Sequence, residues 1–133
     1  MTAPDPSRLD VPATISSPEV LADPEQGLIS LAGESYPENA FEFFRPLGEW
    51  VSAFLARDGR PLTLETRLTY LNTSSIKCLI DLLDELEEAH RGGRSVAMDW
   101  YYNVDDDRAL ELAEEFKEDL TLPFRIIPLG REA

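Results

Sequence analysis

The sequence predicts an α/β fold, a single two-layer domain in which a mixed sheet of about five strands carries about three helices. Three observations predict it. Leu62, Leu64, Thr66, Leu68 and Tyr70 fall on one face at period two, the pattern of a half-buried strand. Ile76, Leu79, Ile80, Leu83, Leu86 and His90 then recur at helical spacing, so the strand runs straight into an amphipathic helix. Beyond that point strand-like and helix-like segments alternate to the end, which implies crossover connections and at least partly parallel pairing.

The elements follow in order. Residues 1–12 are polar, punctuated by prolines and lack an apolar stretch, so they read as a flexible tail and not as a secretory signal. Residues 13–133 form one domain, with no repeat or internal linker. A first strand covers residues 15–21, weakened by Pro18. Gly27-Leu28-Ile29-Ser30-Leu31-Ala32-Gly33 is the second, joined to it by the hairpin chemistry of Asp23-Pro24-Glu25-Gln26-Gly27. Ser35 with Glu38 three residues on matches a capping box, and Pro37 is tolerated in a first turn. The helix opened there buries Phe41, Phe44, Leu47, Trp50, Val51 and Phe54. Pro46 bends it or shifts its start, and Arg57-Asp58-Gly59-Arg60 ends it.

The strand into Asn72 comes next, then the second helix. That helix stops at His90-Arg91-Gly92-Gly93, where Gly92 supplies a left-handed closing residue. Val96, Met98, Trp100 and Tyr102 share one face of a strand over residues 95–102. Asp105, Asp106 and Asp107 open a third helix carrying Leu110, Leu112, Ala113 and Phe116. A short last strand over residues 124–127 ends at Pro128.

Composition narrows the function. The chain has 133 residues, 43% hydrophobic, and no apolar run near the roughly 18 residues of a membrane span. With 26 acidic and 12 basic residues the net charge is −14. Such a field repels nucleic acid and anionic lipid, so neither nucleic acid nor membrane is an expected partner. It suits solubility, or steering toward a basic protein. The single cysteine, Cys78, excludes an internal disulfide and fits a reducing, cytoplasmic setting.

Signs of catalysis are sparse. The one histidine, His90, falls in the last turn of a helix, where its charged form suits the dipole. Cys78 lies in an apolar stripe, so neither a Ser-His nor a Cys-His pair is evident. The three aspartates at 105–107 suit a helix start better than a metal site, because adjacent carboxylates on a helix diverge. No phosphate-binding glycine loop is present, and Trp50 and Trp100 stand at core spacing. No cofactor, metal or catalytic residue is expected.

Asn72, Thr73, Ser74 and Ser75 remain. Asn, Thr and Ser are favoured helix caps, and ordinary capping is one reading. Yet the first helix starts with Glu38 and the third with three aspartates, whereas the second has no carboxylate before Asp81 and meets Lys77 first. The positive end of its dipole is uncompensated, which makes a place to hold an anion or to be phosphorylated.

Tyr70-Leu71-Asn72-Thr73-Ser74-Ser75-Ile76-Lys77 and Gly33-Glu34-Ser35-Tyr36-Pro37-Glu38-Asn39 closely resemble the SiaC family of bacterial regulatory phosphoproteins. The likeness extends to residues 81–90 and 112–116 and covers nearly the whole chain after the tail. The layout is also similar to the anti-sigma-factor antagonist, STAS-type fold, in which a serine in an Asp-Ser-Ser-Gly turn is phosphorylated. Thr73 falls at that serine's place, with Asn72 for the aspartate and Ser75 for the glycine. The resemblance implies a non-enzymatic partner switch phosphorylated at Thr73 by a cognate serine/threonine protein kinase and reversed by a PP2C-like phosphatase. Asn72, Ser74, Ser75 and Lys77 would support the phosphosite, with Ser74 and Ser75 as alternative acceptors. The unphosphorylated form would activate a diguanylate cyclase, coupling it to cyclic-di-GMP and biofilm behaviour. If the strands before the two turns run parallel, Ser35, Tyr36, Glu38 and Asn39 belong to the same partner surface. A constitutive acidic adaptor, or a small enzyme binding an anionic substrate at residues 72–75, are the alternatives.

Overall fold

Chain order in the computed structural model is β1 (Leu9–Val11), β2 (Glu19–Asp23), β3 (Leu28–Ser35), α1 (Ala40–Leu55), β4 (Leu62–Leu71), α2 (Thr73–Arg91), β5 (Val96–Asn103), α3 (Asp107–Glu118) and β6 (Phe124–Leu129). The structure describes residues 7–57 and 59–130. The six strands form one sheet in sequence order. The β1–β2 and β2–β3 pairs are antiparallel, and β3, β4, β5 and β6 are mutually parallel. Three successive crossovers step the same way across the sheet, and right-handed crossovers of that kind lay their helices on one face. Burial agrees: Ile29, Leu31, Leu62, Leu64, Val96, Met98 and Trp100 are buried, while the intervening Ser30, Thr63, Glu65, Ala97 and Tyr101 stay half exposed.

The predicted class and the three helices are present, with one strand more than expected. The extra strand is β1, inside the segment read as a tail. Two apolar residues, Leu9 and Val11, pack against the core, and the Trp50 indole N–H donates to the Ser7 carbonyl at 2.7 Å. Met1 to Pro6 of that segment lie outside the described residues. The first expected strand starts four residues late, at Glu19. The Thr14 hydroxyl accepts the Ser17 amide N–H at 3.0 Å and makes residues 14–17 a turn, leaving Ile15 85% exposed. The β2–β3 turn is as expected, and Gly27 is required there: its φ is 63°, and a Cβ would collide with the Pro61 carbonyl.

The helices also differ in detail. Pro46 sits inside a continuous α1, on its exposed side, and Phe41 is 55% exposed where a core position was expected. The buried stripe of α2 is Ser75, Cys78, Leu79, Leu82, Leu83, Leu86 and Glu87, whereas Ile76 and His90 are only half buried and Ile80 is exposed. Apolar periodicity alone cannot register a stripe whose ends are polar. At the end of α2 the left-handed residue is Gly93 (φ 98°), not Gly92 (φ −81°). The Arg94 amide donates to Ala89 O at 2.9 Å and the Gly93 amide to His90 O at 3.0 Å, a Schellman closure in which position 93 carries the positive φ. In α3, Ala109, Ala113 and Phe116 are buried and Leu110 and Leu112 are half buried; β6 runs on through Pro128 to Leu129.

Two carboxylates fix the far parts of the sheet. Asp99 lies on the helix-free face, opposite Arg125, and takes two bonds of 2.8 Å from its guanidinium. Glu87 reaches from α2 to the entry of β6. It accepts the Thr121 and Leu122 amide N–H groups at 2.8 and 3.0 Å, the Thr121 hydroxyl at 2.6 Å and Arg91 Nε at 2.9 Å. The Thr121 hydroxyl first, then the two amides and Arg91, hold its pKa at about 2 against the opposing effect of burial.

A folded pKa below the unfolded value contributes stability that is present above the unfolded value and lost as pH falls through the folded one. Glu87→Ala is therefore expected to cost about 2 kcal/mol at pH 7, since it strands buried donors. That deficit should shrink between the ordinary carboxylate range and pH 2. Urea denaturation of both proteins at pH 7 and near pH 3 measures it.

Candidate functional site

Because β3 and β4 run parallel, the two turns that follow them open on one rim. The register along this pair slips: Gly33 faces Leu68, but Glu34 faces Tyr70, so Thr69 is an extra residue in β4. Such a bulge re-aims the side chains after it. Tyr70, expected on the buried face with Leu62 to Leu68, is instead 51% exposed. It meets Tyr36 edge-on, with ring centroids 5.8 Å apart, and the Tyr36 amide is anchored on Ser16 O at 2.7 Å. Two exposed aromatic rings thus stand beside the start of α2.

Beneath them lies a buried polar joint. The Ser35 and Ser75 hydroxyl oxygens are 2.7 Å apart, and both residues are fully buried. The Asn72 amide N–H donates to the Ser35 carbonyl at 2.9 Å, and the Asn72 carboxamide oxygen accepts the Ser75 amide N–H at 2.8 Å. Ser35 is therefore the last residue of β3 and not a helix cap. Asn39 caps α1, accepting the Glu42 N–H at 3.1 Å, and Glu38 is an exposed loop residue. Of the four residues expected on the partner rim, Tyr36, Glu38 and Asn39 are exposed, while Ser35 lies under it. Ser75 is sealed off in the same way, its hydroxyl out of reach of solvent in the folded protein.

Thr73 and Ser74 remain exposed as the first two residues of α2. Asn72 caps that helix, as expected. The first amides of an α-helix have no intrahelical acceptor, and the Asn72 side chain occupies only the third. The first turn of α2 holds no acid, in contrast to Glu42 in α1 and Asp107 in α3. Lys77 pairs with Asp81 at 3.2 Å, one turn further on.

Burial pushes the Cys78 thiol up from its ordinary value, with the Asp81 charge adding to the effect. His90 stands in the last turn of α2, roughly 25 Å along the helix from Thr73. Asp106 caps α3 by accepting the Ala109 N–H at 3.0 Å. Among the described residues no group of three His, Cys, Asp or Glu could hold a metal ion, and no helix is long and apolar enough to cross a membrane. A cleft of about 360 Å³ between the end of β4 and α3 has an apolar floor of Leu68, Leu71, Ile76 and Trp100.

The chain matches the SiaC family regulatory phosphoprotein description over residues 11–129. It belongs to the SiaC family of regulatory phosphoproteins. A protein of Pseudomonas aeruginosa (strain UCBPP-PA14) is 52% identical over 120 residues, covering 90% of this chain and 95% of that protein. The solved SiaC of Pseudomonas aeruginosa superposes with a TM-score of 0.87 at 50% identity, covering 92% of this chain and 99% of the other. Crystalline diguanylate cyclase SiaD in complex with its activator SiaC, also from Pseudomonas aeruginosa, gives a TM-score of 0.89 at 50% identity, covering 91% and 99%. Apo-SiaC gives 0.85 at 52% identity, covering 91% and 98%. As a SiaC-family member the chain is a signalling protein and not an enzyme.

Sequence reading located the rim but missed the bulge at Thr69 and the joint beneath it. A signal for the joint was present. Ser35 continues the alternate positions of Ile29 and Leu31, and Ser75 precedes Cys78, Leu79 and Leu82 at helical spacing, so both serines stood on core faces.

Removing either hydroxyl should leave the other buried and unpaired. Ser35→Ala and Ser75→Ala are each expected to cost about 1–2 kcal/mol. The double variant should cost less than their sum, and a cycle of chemical denaturations measures the coupling.

Proposed function

We propose that this protein is a partner switch controlled by reversible phosphorylation of Thr73. In this reading the unphosphorylated form binds and activates a diguanylate cyclase in the cytoplasm. A cognate serine/threonine protein kinase turns that interaction off and a PP2C-like phosphatase restores it. Cyclic-di-GMP output, and through it biofilm behaviour, would follow the state of one hydroxyl.

The observation that carries the reading is the division of the hydroxyl cluster. Ser75 is consumed by its bond to Ser35, while Thr73 stands exposed at an acid-free helix start. A phosphate there adds about −1.5 to −2 charge and three acceptor oxygens. It meets unsatisfied amides and the positive end of the α2 dipole, so its placement is favourable. Beside it stand Tyr36 and Tyr70, the kind of exposed aromatic residues that anchor protein interfaces. A doubly charged group next to them must be desolvated when a partner covers the rim, which opposes binding. The SiaC crystallised on SiaD at 50% identity supplies the partner class.

The test is phosphate transfer from the cognate kinase, followed by titration of the cyclase. Thr73→Ala should take up no phosphate while melting within a few degrees of wild type. Phosphorylated wild type should bind the cyclase at least about tenfold more weakly, a difference near 1.4 kcal/mol. Thr73→Glu should reproduce only part of that loss, having less charge and fewer acceptor oxygens. Phosphate persisting in Thr73→Ala would move the site elsewhere, with Ser74, exposed beside it, the first to test.

A further inference from the structure

The helices that follow β4 and β5 run parallel to each other, because the strands they leave are parallel neighbours. Their first turns stand side by side on the rim, α2 opening at Thr73 and α3 at Asp107. Residues three, four, seven or eight apart share one stripe of a helix. Ile76, Ile80 and Asp84 line the groove between α2 and α3, and Thr73 heads their stripe. Ser74 heads a different one: Cys78, Asp81 and Glu85 line the groove between α1 and α2. The two neighbouring hydroxyls thus belong to faces turned toward different helices.

On α3 the matching position is Arg108. Leu112, Glu115 and Asp119 line the α2–α3 groove, and Arg108 heads their stripe. It also lines the cleft of about 360 Å³ whose opposite wall includes Leu71 and Ile76, the residues on either side of the Asn72–Ser75 cluster. Arg108 is exposed, and its guanidinium enters no ion pair or hydrogen bond among the described residues. The other nearby cation, Lys77, is held by Asp81 at 3.2 Å. The acids of the cleft leave the first turn to Arg108. Asp106 gives one carboxylate oxygen to the Ala109 N–H, and Glu111 and Glu115 lie about 5 and 10 Å further along α3.

We propose that a phosphate on Thr73 is received across this cleft by Arg108, in a bidentate pair that ties the first turn of α2 to the first turn of α3. This deepens the partner-switch reading and rests on it. The planar guanidinium fork matches phosphate oxygens, whereas the Lys77 ammonium acts as a point charge on the helix that already carries the phosphate. Lys77 can screen the phosphate, but only Arg108 joins it to a second helix. Phosphorylation then does more than add charge to the rim: it uses the free cation there and closes the mouth of the cleft.

The ionisation of the phosphate itself reads the pair directly, and a merely structural role of Arg108 would not move it. A guanidinium at contact favours the dianion and lowers the second phosphate pKa from its ordinary value near 6. Lys77 acts in the same direction, and Asp105, Asp106, Asp107, Glu111 and Glu115 act against it. The test is a phosphorus NMR titration of the full-length protein after phosphorylation by the cognate kinase. Arg108→Gln, a change at an exposed position, should raise the phosphothreonine pKa by about half to one pH unit. Arg108→Lys should raise it by less, and Lys117→Gln, on the opposite side of α3, should leave it unchanged. A wild-type titration in Arg108→Gln would overturn the pair and leave Thr73 as the phosphosite. A larger rise in Lys77→Gln than in Arg108→Gln would give the phosphate to α2 alone and overturn the pair as well. Phosphate mapped to another residue, or none taken up, would overturn the reading of Thr73 itself, and the pair with it.

Discussion

The hydroxyl pair Ser35–Ser75 joins the end of one strand to the first turn of the helix after the next one, and the geometry of the rim depends on it. In the buried environment each hydroxyl has the other as its partner, so neither turn can shift without stranding a polar group. The Asn72 amide on the Ser35 carbonyl adds a second tie at the same point. Thr73 is thereby held at a fixed place on a rigid edge, and in the proposed switch a phosphate there would change the charge of that edge without requiring the fold to move.

The rest of the architecture supports this edge from one side. All three crossovers step in one direction, so the helices form a single layer and the other face of a largely parallel sheet is left without a helix. Parallel strands are ordinarily covered on both faces. Here the uncovered face is finished with side chains: Arg125 closes over Asp99, and the Arg67 guanidinium lies 4.2 Å from the centre of the Tyr101 ring. Glu87 performs the matching task on the helix side, tying α2 to the start of β6.

Apolar periodicity made the class, the crossovers and the three helices legible, because burial of Leu64, Leu83 or Met98 is written into spacing. It failed wherever polar residues take core positions. Ser35 looked like a helix cap and Glu87 carried no local signal, since a single residue does not reveal a partner 40 or 35 positions away. The bulge at Thr69 was equally hidden: the pattern ran unbroken to Tyr70, and only pairing with β3 showed that one residue was surplus. At the rim, sequence found the Asn72 cap and the acid-free start of α2 because those are local properties. Local pattern could not rank the hydroxyls, and only the family resemblance put Thr73 first, since which of them is exposed is decided by a strand distant in sequence.

The charge of the whole chain bears on how a single phosphate can act. A net charge of −14 already sets the long-range field, and one or two more charges change it little. At physiological salt the field of a surface charge is largely screened beyond about 8 Å. A phosphate-based switch on such a protein must therefore work at contact, through groups the partner buries. The start of α2 is suited to that: it lacks acids of its own, carries outward-facing amides and lies beside two exposed tyrosines. On the acidic helix faces elsewhere the same phosphate would add one charge to many. At Thr73 it would reverse the local sign.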